Sequence, residues 1–117
     1  MALTKHPALS DAQRRPPEAV ADEARKGLEL REEHGRGGTE VGVRRAEQLM
    51  ARRLVSDRDI KSMYSYFARH AVDKHGKDWA NATKPSAGKI AWLLWGGDAA
   101  EAWIGRLHAK MDKAGEA

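Results

Sequence analysis

Apolar positions recur along this chain with the three-to-four-residue period of helices, and no segment alternates with the two-residue period of a strand. The densest run is KIAWLLWGGDAAEAW, residues 89–103, which holds three of the four tryptophans. Its first half is apolar around most of its circumference, so a helix there is expected to be buried on most sides. Ser86, after Pro85, suits the N-cap of that helix, and Gly96 or Gly97 can adopt the left-handed conformation that ends it. Asp98 with Glu101 three residues on reads as a capping-box-like start to the next helix. That helix carries Ala100, Trp103, Ile104, Leu107 and Met111 on one stripe. Two helices joined by a glycine turn, both presenting indoles to one core, are the expected centre of the molecule.

Three more helices precede it. Pro16 and Pro17 open the first, which is expected to run to about residue 33 with Val20, Ala21, Ala24 and Leu28 inward. This alanine-rich face is narrow and implies close packing against something flat. The HGRGG run, 34–38, is a connector; a glycine-rich loop before a capped helix invites a phosphate reading, but it lacks Walker A spacing. Thr39 caps the second helix, 40–53, with Val43, Ala46, Leu49 and Met50 inward, and Gly42 marks a possible point of close helix approach. Ser56 and Asp59 cap the third, which is expected to reach about residue 74 with Ile60, Met63, Tyr64, Phe67 and Ala71 inward. Residues 75–85 form the longest polar connector, and Trp79 stands alone in it. The expected fold is all-α: a small bundle of about five helices with a Trp-rich core and a helix-turn-helix-like pair in the middle. Residues 16–112 form the single domain, 1–15 a flexible N-terminal tail and 113–117 a frayed C-terminal tail.

Charge changes this picture in one place. The net charge is +4, and residues 39–75 carry eight Lys/Arg against five Asp/Glu while the flanking segments are near neutral. This moderate basic bias fits nucleic acid or an acidic protein surface. Arg44, Arg45, Arg52 and Arg53 flank the second helix, and Arg58, Lys61, Ser65 and Arg69 lie on the outer side of the third. Together they are the candidate binding surface. Trp79 and Trp95 are the candidate exposed aromatics, able to anchor a partner or stack on a base. The second and third helices have helix-turn-helix proportions, although Asp57 and Asp59 at the start of the third would repel phosphates.

Enzymatic readings find little to stand on. Cysteine is absent, which removes disulfides and thiolate chemistry and suits a reducing cytoplasm. The five histidines form no H-E-x-x-H run and no i, i+4 pair, so no metal, cofactor or catalytic residue is assigned. No apolar run approaches the length of a membrane span.

Three runs carry a resemblance: GRGGTEVGVRRA at 35–46, MYSYFARH at 63–70 and IAWLLWGGD at 90–98. They, and residues 16–107 around them, resemble a segment of tailed-bacteriophage proteins labelled head-maturation proteases or head-morphogenesis proteins. The resemblance implies phage or prophage origin and a place in head assembly or genome handling. It does not imply proteolysis, because a head protease needs a separate β-rich domain with its own Ser and His. The expectation is a non-catalytic interaction module, in the host cytoplasm or associated with the virion, whose partner is a head-related phage protein. The alternative is a helix-turn-helix-like DNA-binding protein using residues 39–75.

Overall fold

The computed structural model describes residues 6–115, with side chains through Lys113. All regular structure among the described residues is helical, without a strand. A single turn, α1 (Asp11–Arg14), precedes α2 (Glu18–His34), α3 (Glu40–Met50), α4 (Asp57–His70), α5 (Ala87–Leu94) and α6 (Gly97–Gly115). A 3-10 turn, Ala71–His75, prolongs α4 and Gly76 follows it, much where the longer third helix was expected to stop.

Local chemistry starts these helices as the sequence implied. Thr39, Ser56 and Ser86 each accept from the third backbone N–H of the following helix, at 3.4, 3.0 and 3.1 Å. Each cap satisfies one of the orphan donors of its helix start. Ser56 and Asp59 cap reciprocally, since the Ser56 N–H donates to the Asp59 carboxylate at 2.9 Å. At the glycine turn, Gly96 and Gly97 take φ of 106° and 66°, which an L side chain rarely adopts.

α5 is the element everything else encloses. Ile90, Trp92, Leu93, Leu94 and Trp95 are all buried. α2 packs along one side of it and also against α3 and α6, while α4 lies mainly on α6. The flat surface expected beneath α2 is the backbone of α5. A Cβ added at Gly27 would lie 2.7 Å from the Leu94 nitrogen and 2.9 Å from the Leu93 carbonyl carbon. Gly42, flagged for close approach, does face α5: a Cβ there would just touch Leu94 and the Trp95 indole nitrogen, both at 3.4 Å.

Five expectations need correction. First, the N-terminal segment is docked from residue 6 onward. Leu9 is in the core, and Arg14 is fully buried, donating to the Val55 carbonyl at 3.1 Å and pairing with Asp57. The Trp103 indole donates to the Gln13 carbonyl at 3.1 Å. Polar residues hid this docking, because its anchor is an arginine whose partners are a carbonyl and a carboxylate distant in sequence. Residues 1–5 lie outside the described residues. Second, α6 remains helical to Gly115, past the expected fraying at 113; residues 116–117 lie outside the description. Third, α3 ends at Met50, which is partly exposed, because Arg52 turns into the left-handed region at φ 54°. Fourth, Tyr66 rather than Tyr64 is buried, since α5 covers the flank of α4 on which Tyr66 lies, and Tyr64 stacks on His108 at 3.7 Å near the surface. Fifth, Asp98 does not cap α6. Its carboxylate accepts from the Trp92 indole and from Lys74, both at 2.8 Å, and Lys74 also lies over the Trp92 ring at 4.6 Å.

The contact at Gly27 can be tested alone. Gly27→Ala should favour the isolated helix by about 1 kcal/mol. In the folded protein it forces α2 away from the α5 backbone, and overpacking of this kind costs about 1–3 kcal/mol. Denaturant unfolding should therefore show a net loss of stability, and an unchanged midpoint would refute the close approach.

Candidate binding surface

The connector 51–56 is built to hold α3 and α4 apart at a fixed spacing. Arg52 reaches back to the Pro16 carbonyl at 2.8 Å, and its own carbonyl accepts from Arg15 at 2.7 Å. Val55 is buried, with its N–H on the Arg14 carbonyl at 3.0 Å. Gln48 donates to the Leu54 carbonyl at 3.4 Å. A cleft results between the two helices. It has a volume of about 430 Å³ and is lined by Val41, Arg44, Arg45, Gln48, Arg53, Leu54 and Asp59.

Arg45 and Asp59 brace the cleft. The Arg45 guanidinium donates to Asp59 at 2.8 Å and to Gln48 at 2.7 Å, and it lies over the Trp95 ring at 5.2 Å. Asp59 also accepts from Gln48 at 3.0 Å, besides the Ser56 N–H of its cap. Burial works to raise the Asp59 pKa. The Ser56 N–H, Arg45 and Gln48 together outweigh it and hold the carboxyl below its ordinary value. Asp57 behaves alike: burial opposes ionisation, and Arg14 with the His6 N–H overcomes it. The first turn of α4 thus carries two carboxylates kept ionised by internal partners.

The cleft sorts the sequence candidates. It brings Arg44, Arg45 and Arg53 together. Arg44 and Arg53 are exposed and form no ion pair with a described residue. Arg45 is present but committed to Asp59. Arg52 does not join the surface; it is a strut to the N-terminal segment, with Glu18 at 3.8 Å. Arg58, Lys61 and Ser65 are exposed on α4 and do not line the cleft, and Arg69 is exposed farther along α4. Trp95 is 8% exposed, a core residue stacked on Tyr66 with centroids 4.4 Å apart, so it is not the exposed aromatic expected before a glycine turn. Trp79 is half-buried, edge-on to Trp92 at 5.7 Å with Lys89 over its ring at 4.9 Å, and it borders a different cavity. Val41, absent from the candidates, is 57% exposed on the cleft wall. Its place on α3, one turn from Arg44 and Arg45, was its only signal.

The glycine-rich loop has another use than phosphate. A Cβ at Gly37 would meet Ile90 at 2.5 Å and one at Gly38 would meet Leu94 at 2.6 Å, so these glycines let the loop lie against α5. Arg31 and Arg36 fasten it, donating to the carbonyls of Gly37 at 3.0 Å and Pro85 at 2.9 Å. Among the described residues no group of three His, Cys, Asp or Glu is placed to hold a metal ion, and no helix is long and apolar enough to cross a membrane.

Comparison with protein-family models, with curated proteins and with solved structures gives no match to this chain.

The depressed Asp59 pKa fixes the sign of a pH effect. Its ionised form is favoured by folding, so its contribution is full above the ordinary carboxylate pKa and is lost as pH falls through the folded value. Asp59→Asn should be less stable than the parent at neutral pH and should lose less stability on acidification. Chemical denaturation across that acid range measures both slopes; equal slopes would refute the bracing role of Asp59.

Proposed function

We propose that this protein is a non-catalytic interaction module that binds an acidic protein segment in the cleft between α3 and α4. The observation that carries this reading is the pairing of two unneutralised arginines, Arg44 and Arg53, with exposed Val41 in a cleft braced from within. Rigid walls reduce the ordering cost of binding, because Arg45, Gln48 and Asp59 are already fixed by one another. The exposed arginines supply charge complementarity to carboxylates, and Val41 offers an apolar contact between them. The resemblance of residues 16–107 to tailed-phage head proteins supports a head-assembly setting for such a partner.

DNA binding through residues 39–75 draws on the same charges, with Arg58, Lys61 and Arg69 added. One feature weighs against it: Asp57, which does not line the cleft, is held ionised at the start of α4, where a groove-reading helix would face phosphates.

The test is a fluorescence-anisotropy titration with a short labelled peptide of alternating glutamate and leucine, and with random duplex DNA, at about 50 and 200 mM salt. The peptide should bind, and Arg44→Glu with Arg53→Glu should abolish binding without lowering the melting temperature, since both side chains are exposed. Binding of DNA alone, collapsing at the higher salt, would replace this reading with the nucleic-acid one.

A further inference from the structure

A second cavity, of about 600 Å³, lies on the far side of the Arg45 brace. The start of α3, the C-terminal half of α4 and the start of α5 enclose it, with Thr39, Tyr66, Arg69, Gly88 and Trp95 among its walls. Arg44 and Arg53 do not line it, and Val41 borders both this cavity and the arginine cleft. Its size falls in the range of small-ligand sites, roughly 300–1,000 Å³.

Its lining is apolar in body and rich in donors. The floor is the parallel stack of Trp95 on Tyr66, whose interplanar angle is 4°. His70 stacks on the other side of Tyr66 at 4.5 Å. Tyr66 is 6% exposed, and its Oη is covered without any hydrogen-bond partner. A buried hydroxyl left unpaired costs stability, and replacing it by an apolar group is neutral or favourable to the fold. No side chain or carbonyl of the fold pairs with this hydroxyl. Arg69 is exposed at the rim and forms no ion pair with a described residue. The first turns of α3 and α5 both border the cavity; Thr39 and Ser86 cap only the third N–H of each, and earlier N–H groups have no acceptor within their helices. The one carboxylate in the wall, Asp73, is engaged by His70 at 3.1 Å. Asp73 is thus the single carboxylate of the wall, and the positive ends of two helices add to the charge of Arg69.

We propose that this cavity binds a carboxylate carried on an apolar body, with the Tyr66 hydroxyl and the Arg69 guanidinium as its donors and the Trp95–Tyr66 stack as the surface beneath the apolar part. A cationic ligand would meet Arg69 and the positive ends of two helices, with Asp73, one of whose oxygens His70 holds, as the single carboxylate facing it. A wholly apolar one would leave Tyr66 Oη unpaired. A carboxylate on an apolar body has two natural sources, a free small acid or the end of a peptide chain whose last residue is apolar. Both present the same atoms to Tyr66 and Arg69.

Calorimetric titration with N-acetylphenylalanine, its uncharged amide, and a short peptide ending in phenylalanine with a free carboxylate tests the assignment and separates the sources. At least one of the two carboxylates should bind saturably, with the amide weaker by about tenfold or more. Tyr66→Phe and Arg69→Gln should each weaken that binding by about tenfold. Tyr66→Phe should melt no lower than the parent, which a merely structural tyrosine would not do. Tighter binding of the peptide than of the small acid assigns the site to a chain end, and the reverse assigns it to a free carboxylate. The proposal is overturned if neither carboxylate saturates, if the amide binds equally well, or if Tyr66→Phe binds like the parent. None of these outcomes depends on Arg44 or Arg53, so the arginine cleft stands or falls separately.

Discussion

The bundle depends on one place where two helices meet with no side chain between them. At Gly27 the backbone of α2 lies against the backbone of α5. That approach sinks the C-terminal half of α5 into the bundle, and it explains why a helix of eight residues can carry Trp92, Leu93 and Leu94 inside. With α5 so placed, its indoles project toward α4 and the glycine loop before α3 must pass close over Ile90 and Leu94. Every cavity described above borders α5 directly or a residue that leans on it; Arg45, lying over Trp95, is the link to the arginine cleft.

The elements were legible because their signals are local. Thr39, Ser56 and Ser86 as caps, the apolar stripe of α6 and the glycine turn each need only a few neighbours to be recognised. What escaped was set by partners far off in sequence. Arg14 reads as a surface residue until Val55 and Asp57 are beside it. Tyr64 and Tyr66 fit a helical face almost equally well, and the position of α5 decides between them. Asp98 has the spacing of a cap, yet the Trp92 indole and Lys74 reach it first. Arg45 and Arg52 look like their neighbours Arg44 and Arg53 in a charge pattern. Only the fold divides them into two that hold the structure and two that face outward.

Buried polar groups here fall into two kinds. Fully buried Arg14 and largely buried Arg45 pair with the partly exposed Asp57 and Asp59, and loss of either carboxylate would leave its arginine without a charge partner. They fix spacing between helices more than they add stability. The Tyr66 hydroxyl is the other kind, a polar atom inside with nothing to hold. The first kind makes the cleft rigid, and the second marks a place where the interior is incomplete as a self-contained fold.

The bond from Trp103 to Gln13 joins residues 90 positions apart. During translation the segment around Gln13 emerges before α2 to α5, and its partner on α6 emerges only after them. The Gln13 carbonyl therefore gains the Trp103 indole only once every helix between them has been made, so this bond closes a loop that spans nearly the whole bundle.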